Sequence, residues 1–275
     1  MISIFWDTRG YFFWLLVISA FVLTLERLWP WRREQWLFRR QFGQDLVWLM
    51  FNGHYCGILV AHAGAAAFAW AWPAISRWQE LRILAEQPLW LQFAGFFLLK
   101  DSLDWCVHNL LHRTPWLWEF HKVHHSIEEL DWIGNFRFHW MEVVVYQGLT
   151  YLPLAVLGVD GRVILGIALV NTLIGHLNHS NLDITWGPLR YVLNSSRMHV
   201  WHHDWDLPAG RPKGVNFGIA LSLWDWVFGT AWWPAPVESP SQQPRRLGFP
   251  GLENFPRGLP GRFLYPLSRL WRGRD

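Results

Sequence analysis

The sequence predicts an all-α, integral-membrane helical protein with three long spans and a shorter helical hairpin. Three observations predict it. Of the 275 residues, 52% are hydrophobic and only 16% charged, whereas a soluble domain carries about 25% charged residues. Five apolar stretches recur along the chain, with no strand-period alternation long enough to trust and no internal repeat. Aromatic residues are abundant, with 23 Trp and 19 Phe. Indole favours the membrane–water boundary, because its ring is apolar while its N–H stays wet.

The stretches follow in order. Residues 11–28, 46–72 and 89–107 are each near or above the length of about 20 residues that a membrane helix needs. Residues 143–159 and 163–176 are shorter, and a link from Gly158 to Gly161 joins them, so they read as a tilted pair or a re-entrant hairpin. Residues 1–9 lack a basic leader and no small-x-small site follows, so the first stretch reads as a retained span. Cys56 and Cys106 both lie in apolar stretches, which argues against a disulfide framework.

Arginines orient the spans. Arg27, Arg32, Arg33, Arg39 and Arg40 follow the first stretch, and the chain beyond Leu189 is rich in Arg. In the second link Arg77 and Arg82 are offset by Glu80 and Glu86. By the positive-inside rule the first link and the C-terminal region are cytoplasmic, so all the polar segments downstream of the third span share that face. The formal net charge is only +3, and no nucleic-acid partner is expected. From Trp233 the tail is rich in Pro, Gly and Arg, and suits an ordered wrap or a flexible arm at the lipid surface with no catalytic role.

Eleven of the 13 histidines lie between His108 and His203, in five groups. These are His108/His112, His121/His124/His125, His139, His176/His179 and His199/His202/His203. Side chains at i, i+3 and i+4 share one face of a helix. Each pair or triple can therefore aim at a metal ion from adjacent turns. Apart from His139 there are ten imidazoles, too many for one zinc ion with its four ligands. They suit two metal ions with about four or five nitrogens each, held in a histidine-rich helical cap on the cytoplasmic face. His139 is open between ligand, neighbour of a ligand and substrate contact. His54 and His62 lie apart, in the second stretch, and read as packing residues.

The acids suit a supporting role, since a ligating His usually donates its other N–H to a carboxylate or carbonyl. Asp101 and Asp104 share a helix stripe with His108 and His112, inside an otherwise apolar stretch where an unpaired carboxylate is expensive. Asp131, Glu142, Asp204, Asn216 and Asp225 are further candidates. Asp101, Asp104, His139, Glu142 and Asn216 form the expected catalytic neighbourhood. Trp116, Trp118, Trp224 and Trp226 read as interface anchors.

The order HxxxH, HxxHH, Arg137-x-His139, His179-Ser180-Asn181 and HxxHH resembles the fatty acid hydroxylase/sterol desaturase superfamily. So do His121-Lys-Val-His124-His125-Ser126, Met198-His199 through His203, Asn216-Phe217-Gly218 and Trp224-Asp225-Trp226 through Thr230. The match runs over residues 101–261. It departs at His108-Asn109, where the family often has His-Arg, and at His139-Trp140, where it often has His-Pro. The resemblance implies two iron ions, O2 as co-substrate and an external electron donor of ferredoxin or cytochrome type. It implies hydroxylation or desaturation of a C–H bond in a lipid, sterol or carotenoid-like substrate drawn from the bilayer. It divides the chain into a transmembrane region over 1–94, a catalytic region over 95–232 and a tail over 233–275. Two other classes use clustered histidines. A membrane metal transporter needs ligands along a path near the midplane. A zinc-dependent membrane hydrolase needs one open site and a Glu base, and no HExxH occurs.

Overall fold

The computed structural model describes residues 7–80, 85–151, 157–234 and 243–272, and these are helical with no strand. Only two isolated bridges occur among them, Leu193 with Leu221 and Asp204 with Leu247. In chain order the helices are α1 (Tyr11–Leu28), α2 (Phe42–Met50), α3 (Gly57–Glu80), α4 (Leu89–Arg113), α5 (Pro115–His125), α6 (Trp140–Tyr146), α7 (Gly161–His179), α8 (Ser196–His202), α9 (Leu223–Val227) and α10 (Leu259–Arg272). A π-helical turn, Phe51–Cys56, joins α2 to α3 without a break.

Among the described residues three helices are long and apolar enough to cross a membrane: Tyr11–Leu28, Phe42–Pro73 and Gly161–His179. Three spans were expected, but the third member differs. Helix α4 has 25 residues, yet it carries Lys100, Asp101 and Asp104, all buried. Lys100 Nζ donates to Asp104 one turn on, at 2.5 Å, so that stretch of α4 faces protein rather than lipid. The expected short hairpin arm is instead the 19-residue helix α7, which continues past His176 to His179. Residues 152–156 of the fourth stretch, Arg82 of the second link and parts of the tail lie outside the described residues.

Local chemistry explains several helix starts. Helix α5 has Pro115 in its first turn, where a missing N–H costs nothing. Asp160 caps α7 by accepting from the Arg162 N–H, and Ser195 caps α8 by accepting from the Met198 N–H.

Buried polar groups join the membrane helices to the histidine-bearing ones. Glu26 at the end of α1 accepts from the backbone N–H of Trp132 (2.9 Å) and of Asn181 (2.7 Å). Asp45 in α2 accepts from Arg39 (2.7 Å) and twice from Arg137 (2.6 Å each), and Arg39 also donates to Asp131. Arg39, expected to mark the cytoplasmic side, is thus turned inward and buried. The tail beyond residue 242 is an ordered wrap: α10 packs on α5, with Phe263 stacked on Trp48 at 4.7 Å and Arg262 buried.

Candidate metal centre

Four helices carry the clustered histidines to one place. Nine of the ten expected ligands fall into two groups, each with one nitrogen per residue lying within 4.8 Å of the others. The first group is His108 and His112 from α4, His121 and His125 from α5, and His202 from α8. The second is His124 from α5, His179 from α7, and His199 and His203 from α8. The two groups abut: the rings of His125 and His203 are 4.6 Å apart and those of His202 and His199 5.1 Å.

The two HxxHH motifs are used reciprocally. Each triple lies on one helix face, as its spacing demands, but is divided between the two groups. In α5 the i, i+4 pair, His121 and His125, joins the first group while His124 joins the second. In α8 the i, i+4 pair, His199 and His203, joins the second group while His202 joins the first.

Backbone acceptors set which ring nitrogen faces inward. Carbonyls only accept, so the nitrogen facing one carries the proton. Nδ1 of His108 donates to Phe217 O (2.8 Å), of His202 to Val215 O (2.8 Å), of His124 to Arg137 O (3.1 Å) and of His179 to Gly175 O (2.8 Å). His121 Nδ1 is bonded to Glu142 Oε2 at 2.7 Å. That leaves the Nε2 lone pairs to converge. Nε2 atoms approach at 3.2 Å for His108 and His121, 3.1 Å for His112 and His125, 3.3 Å for His124 and His179, and 3.1 Å for His179 and His199. Nitrogens bound at about 2.0–2.1 Å to one ion, roughly at right angles to tetrahedral, lie about 2.9–3.4 Å apart. His202 Nε2 is buried with no protein partner. Facing lone pairs repel one another unless a cation lies between them, so this donor set fits two metal ions.

Burial and the neighbouring imidazoles push the pKa values of His121, His124, His125, His199, His202 and His203 well below the ordinary 6.5. These rings are neutral in the folded protein. The unfolded chain protonates them below about pH 6.5 and so binds more protons, which makes stability rise with pH. The metal-free protein is therefore expected to lose stability steeply as pH falls from about 7 toward 5. Its unfolding temperature in detergent at pH 7.5 and at pH 5.5 checks this; equal values at both would contradict it.

The other expected site residues separate from the ligands. His176 is outside both groups: its ring bonds Ser19 Oγ (3.0 Å) and Asn135 Nδ2 (3.1 Å). Spacing alone could not show this, because i and i+3 positions share a helix face whether or not both rings reach the same ion. His139 caps α6, accepting at Nδ1 from the Met141 N–H (3.2 Å) and donating from Nε2 to Phe263 O (3.1 Å). With both nitrogens occupied it has no lone pair for a metal. Glu142 completes that cap and orients His121. Asp101 accepts from the N–H groups of Ala220, Leu221 and the Trp224 indole, and Asp104 pairs with Lys100. Asn216, at φ 56°, ties Met198 O to Trp232. His54 packs on Phe12 and His62 bonds Ile58 O, so neither joins the groups. Sequence reasoning missed Trp118, whose ring lies 5.0 Å from His112 and 5.1 Å from His125. It also missed the carbonyls of Val215 and Phe217, which carry no side-chain signal.

The fatty acid hydroxylase family model matches residues 93–230, half of the chain. The ornithine lipid hydroxylase of Rhizobium tropici is 31% identical over 222 residues, covering 77% of this chain and 63% of that protein. Methylsterol monooxygenase 1-1 of Arabidopsis thaliana is 26% identical, covering 50% of this chain and 46% of its own length. Human alkylglycerol monooxygenase is 26% identical, covering 56% and 34%. The chain thus spans less than two thirds of the length of these curated relatives. No solved structure matches it. With its apolar helices and paired imidazole groups, the chain is an integral-membrane member of the fatty acid hydroxylase family.

Proposed function

We propose that this protein is an O2-dependent, di-iron oxidoreductase that hydroxylates or desaturates a C–H bond of a lipid, sterol or carotenoid-like molecule. The observation that carries the reading is the pair of abutting imidazole groups, with five donors and four. All-imidazole donors accept iron, zinc or copper, and the oxygenase names among the relatives favour iron. When bound, the iron pair would supply O2 reduction and hydrogen removal, which no side chain can perform. His108, His112, His121, His125 and His202 would hold one ion, and His124, His179, His199 and His203 the other. The chain's own part is positional. Backbone carbonyls and Glu142 hold the rings so that little reorganises when the reaction occurs, and the buried surroundings exclude water.

Catalysis is placed in residues 95–232, on the cytoplasmic face indicated by the arginines outside the buried network. Electrons come from a separate ferredoxin- or cytochrome-type protein, and the substrate enters from the bilayer. The ornithine lipid hydroxylase among the relatives makes an ornithine-type aminolipid the first substrate to offer. The test is expression in a host that makes such lipids, followed by lipid mass spectrometry. The expected result is a gain of one oxygen, or a loss of two hydrogens, in one lipid class, dependent on O2 and iron. O2-independent lipid hydrolysis would replace this reading with a zinc hydrolase, and metal uptake into vesicles without lipid change with a transporter.

A further inference from the structure

Two of the oriented imidazoles depend on one short stretch of backbone. His202 donates to the carbonyl of Val215 and His108 to that of Phe217, and the same stretch passes His112 at Gly214. The two acceptors are alternate residues, like teeth of a comb. His108, His112 and His202 all belong to the five-donor group. In the four-donor group, His124 uses Arg137 O and His179 uses Gly175 O, neither of which lies in this stretch.

One carboxylate holds the comb. Asp225 accepts from the N–H of Phe217 (2.9 Å) and of Gly218 (2.7 Å). It also accepts from Thr230 Oγ1 (2.5 Å) and from the Trp105 indole (3.0 Å), which sits on α4 one turn before His108. Four donors therefore converge on a buried group that accepts and cannot donate when ionised. The backbone passes so close that a Cβ on Gly218 would collide with the Leu221 carbonyl and come within 2.9 Å of Asp225 Oδ2. Asp225 makes no contact with a ligand ring. It acts through the peptide units of residues 217 and 218, and it ties them to the helix that carries His108 and His112.

We propose that Asp225 is a positioning residue for the five-donor group alone, fixing the stretch whose Val215 and Phe217 carbonyls aim the His202 and His108 imidazoles at a common ion. This rests on the two groups being metal sites, but not on iron, O2 or a lipid substrate. Asp225→Asn keeps the volume but turns an NH2 toward one of the four donors, so at least one of these bonds is lost. Loss of an outer partner costs about 10–100-fold in metal affinity.

The test is a cobalt(II) titration of the metal-free, full-length protein in detergent, followed by visible absorption and by bound cobalt per chain. Four-coordinate cobalt absorbs far more strongly than five-coordinate cobalt, so the two groups are told apart. Wild-type protein is expected to show both binding steps. In Asp225→Asn the weakly absorbing step should weaken by about 10–100-fold, while the strongly absorbing step keeps its affinity and spectrum. His203→Ala, in the four-donor group, should give the opposite pattern. Val22→Ala, in the α1 core, reports what general destabilisation does. If Asp225→Asn does not fold, Thr230→Val removes one donor to Asp225 and should weaken the same step selectively but less. Equal weakening of both steps, as general destabilisation produces, or no weakening of either overturns the proposal. A wild-type chain that binds fewer than two cobalt ions overturns the metal reading beneath it. Two cobalt ions with no oxidised lipid would reject the proposed function and leave the positioning role standing.

Discussion

His124→Ala and His202→Ala are each expected to cut turnover by more than about 100-fold, beyond the cost of losing a partner behind a ligand. His124 belongs to the four-donor group, so its loss leaves three imidazoles there. His202 belongs to the five-donor group, and its Nε2 is one of the buried atoms with no protein partner. Either variant should purify with depleted metal. His176→Ala supplies the contrast. That ring is buried and one helical turn before His179, but it bonds Ser19 and Asn135 instead. It should keep both ions. Metal analysis of the purified variants, paired with product mass spectrometry, checks all three. Full metal and full turnover in His124→Ala or His202→Ala would remove that residue from the ligand set.

Asp45→Ala is expected to be the most destabilising single change outside the metal groups. Its carboxylate is fully buried between the guanidiniums of Arg39 and Arg137, themselves buried. Removing it leaves two cations with Asp131 alone. Breaking a buried pair from one side costs about 3–5 kcal/mol, because the charge left behind is uncompensated. A domain's whole stability is about 5–15 kcal/mol, so much of it would go. The effect should also reach the metal groups, since the Arg137 carbonyl orients His124. Thermal unfolding in detergent with and without added metal measures it. A shift no larger than that of an exposed substitution such as Arg162→Ala would show that the network contributes little.

The helices were legible because lipid and helix geometry both write periodic signals. Apolar runs and the i, i+3, i+4 histidines located α1, the long second helix and the histidine-bearing elements. What failed to show was the sense of each polar residue. Lys100, Asp101 and Asp104 in α4 look like a span with a few tolerated charges, and they face protein instead. Arg39 looks like an orientation marker and is a buried partner of Asp45 and Asp131. His139 is open in the sequence between ligand, neighbour of a ligand and substrate contact, whereas capping α6 and bonding Phe263 O occupy both its nitrogens. Part of each network is decided by residues far away in the chain, as Asp131 is for Arg39 and Phe263 for His139, and local spacing carries no record of that. The backbone acceptors behind His108 and His202 leave no trace in residue identity at all.

The reciprocal use of the HxxHH motifs bears on how such a chain could change over time. Adding or removing one residue within α5 would rotate everything beyond it by about 100°. That would not simply loosen one donor group; it would reassign rings between the two. The same holds for α8. The intervals inside these helices are therefore constrained by membership in two donor groups at once. The connections between them carry no such burden and can lengthen at a small entropic cost. New substrate preferences should then arise by growth of the stretches between the helices, around a donor set whose internal spacing stays untouched.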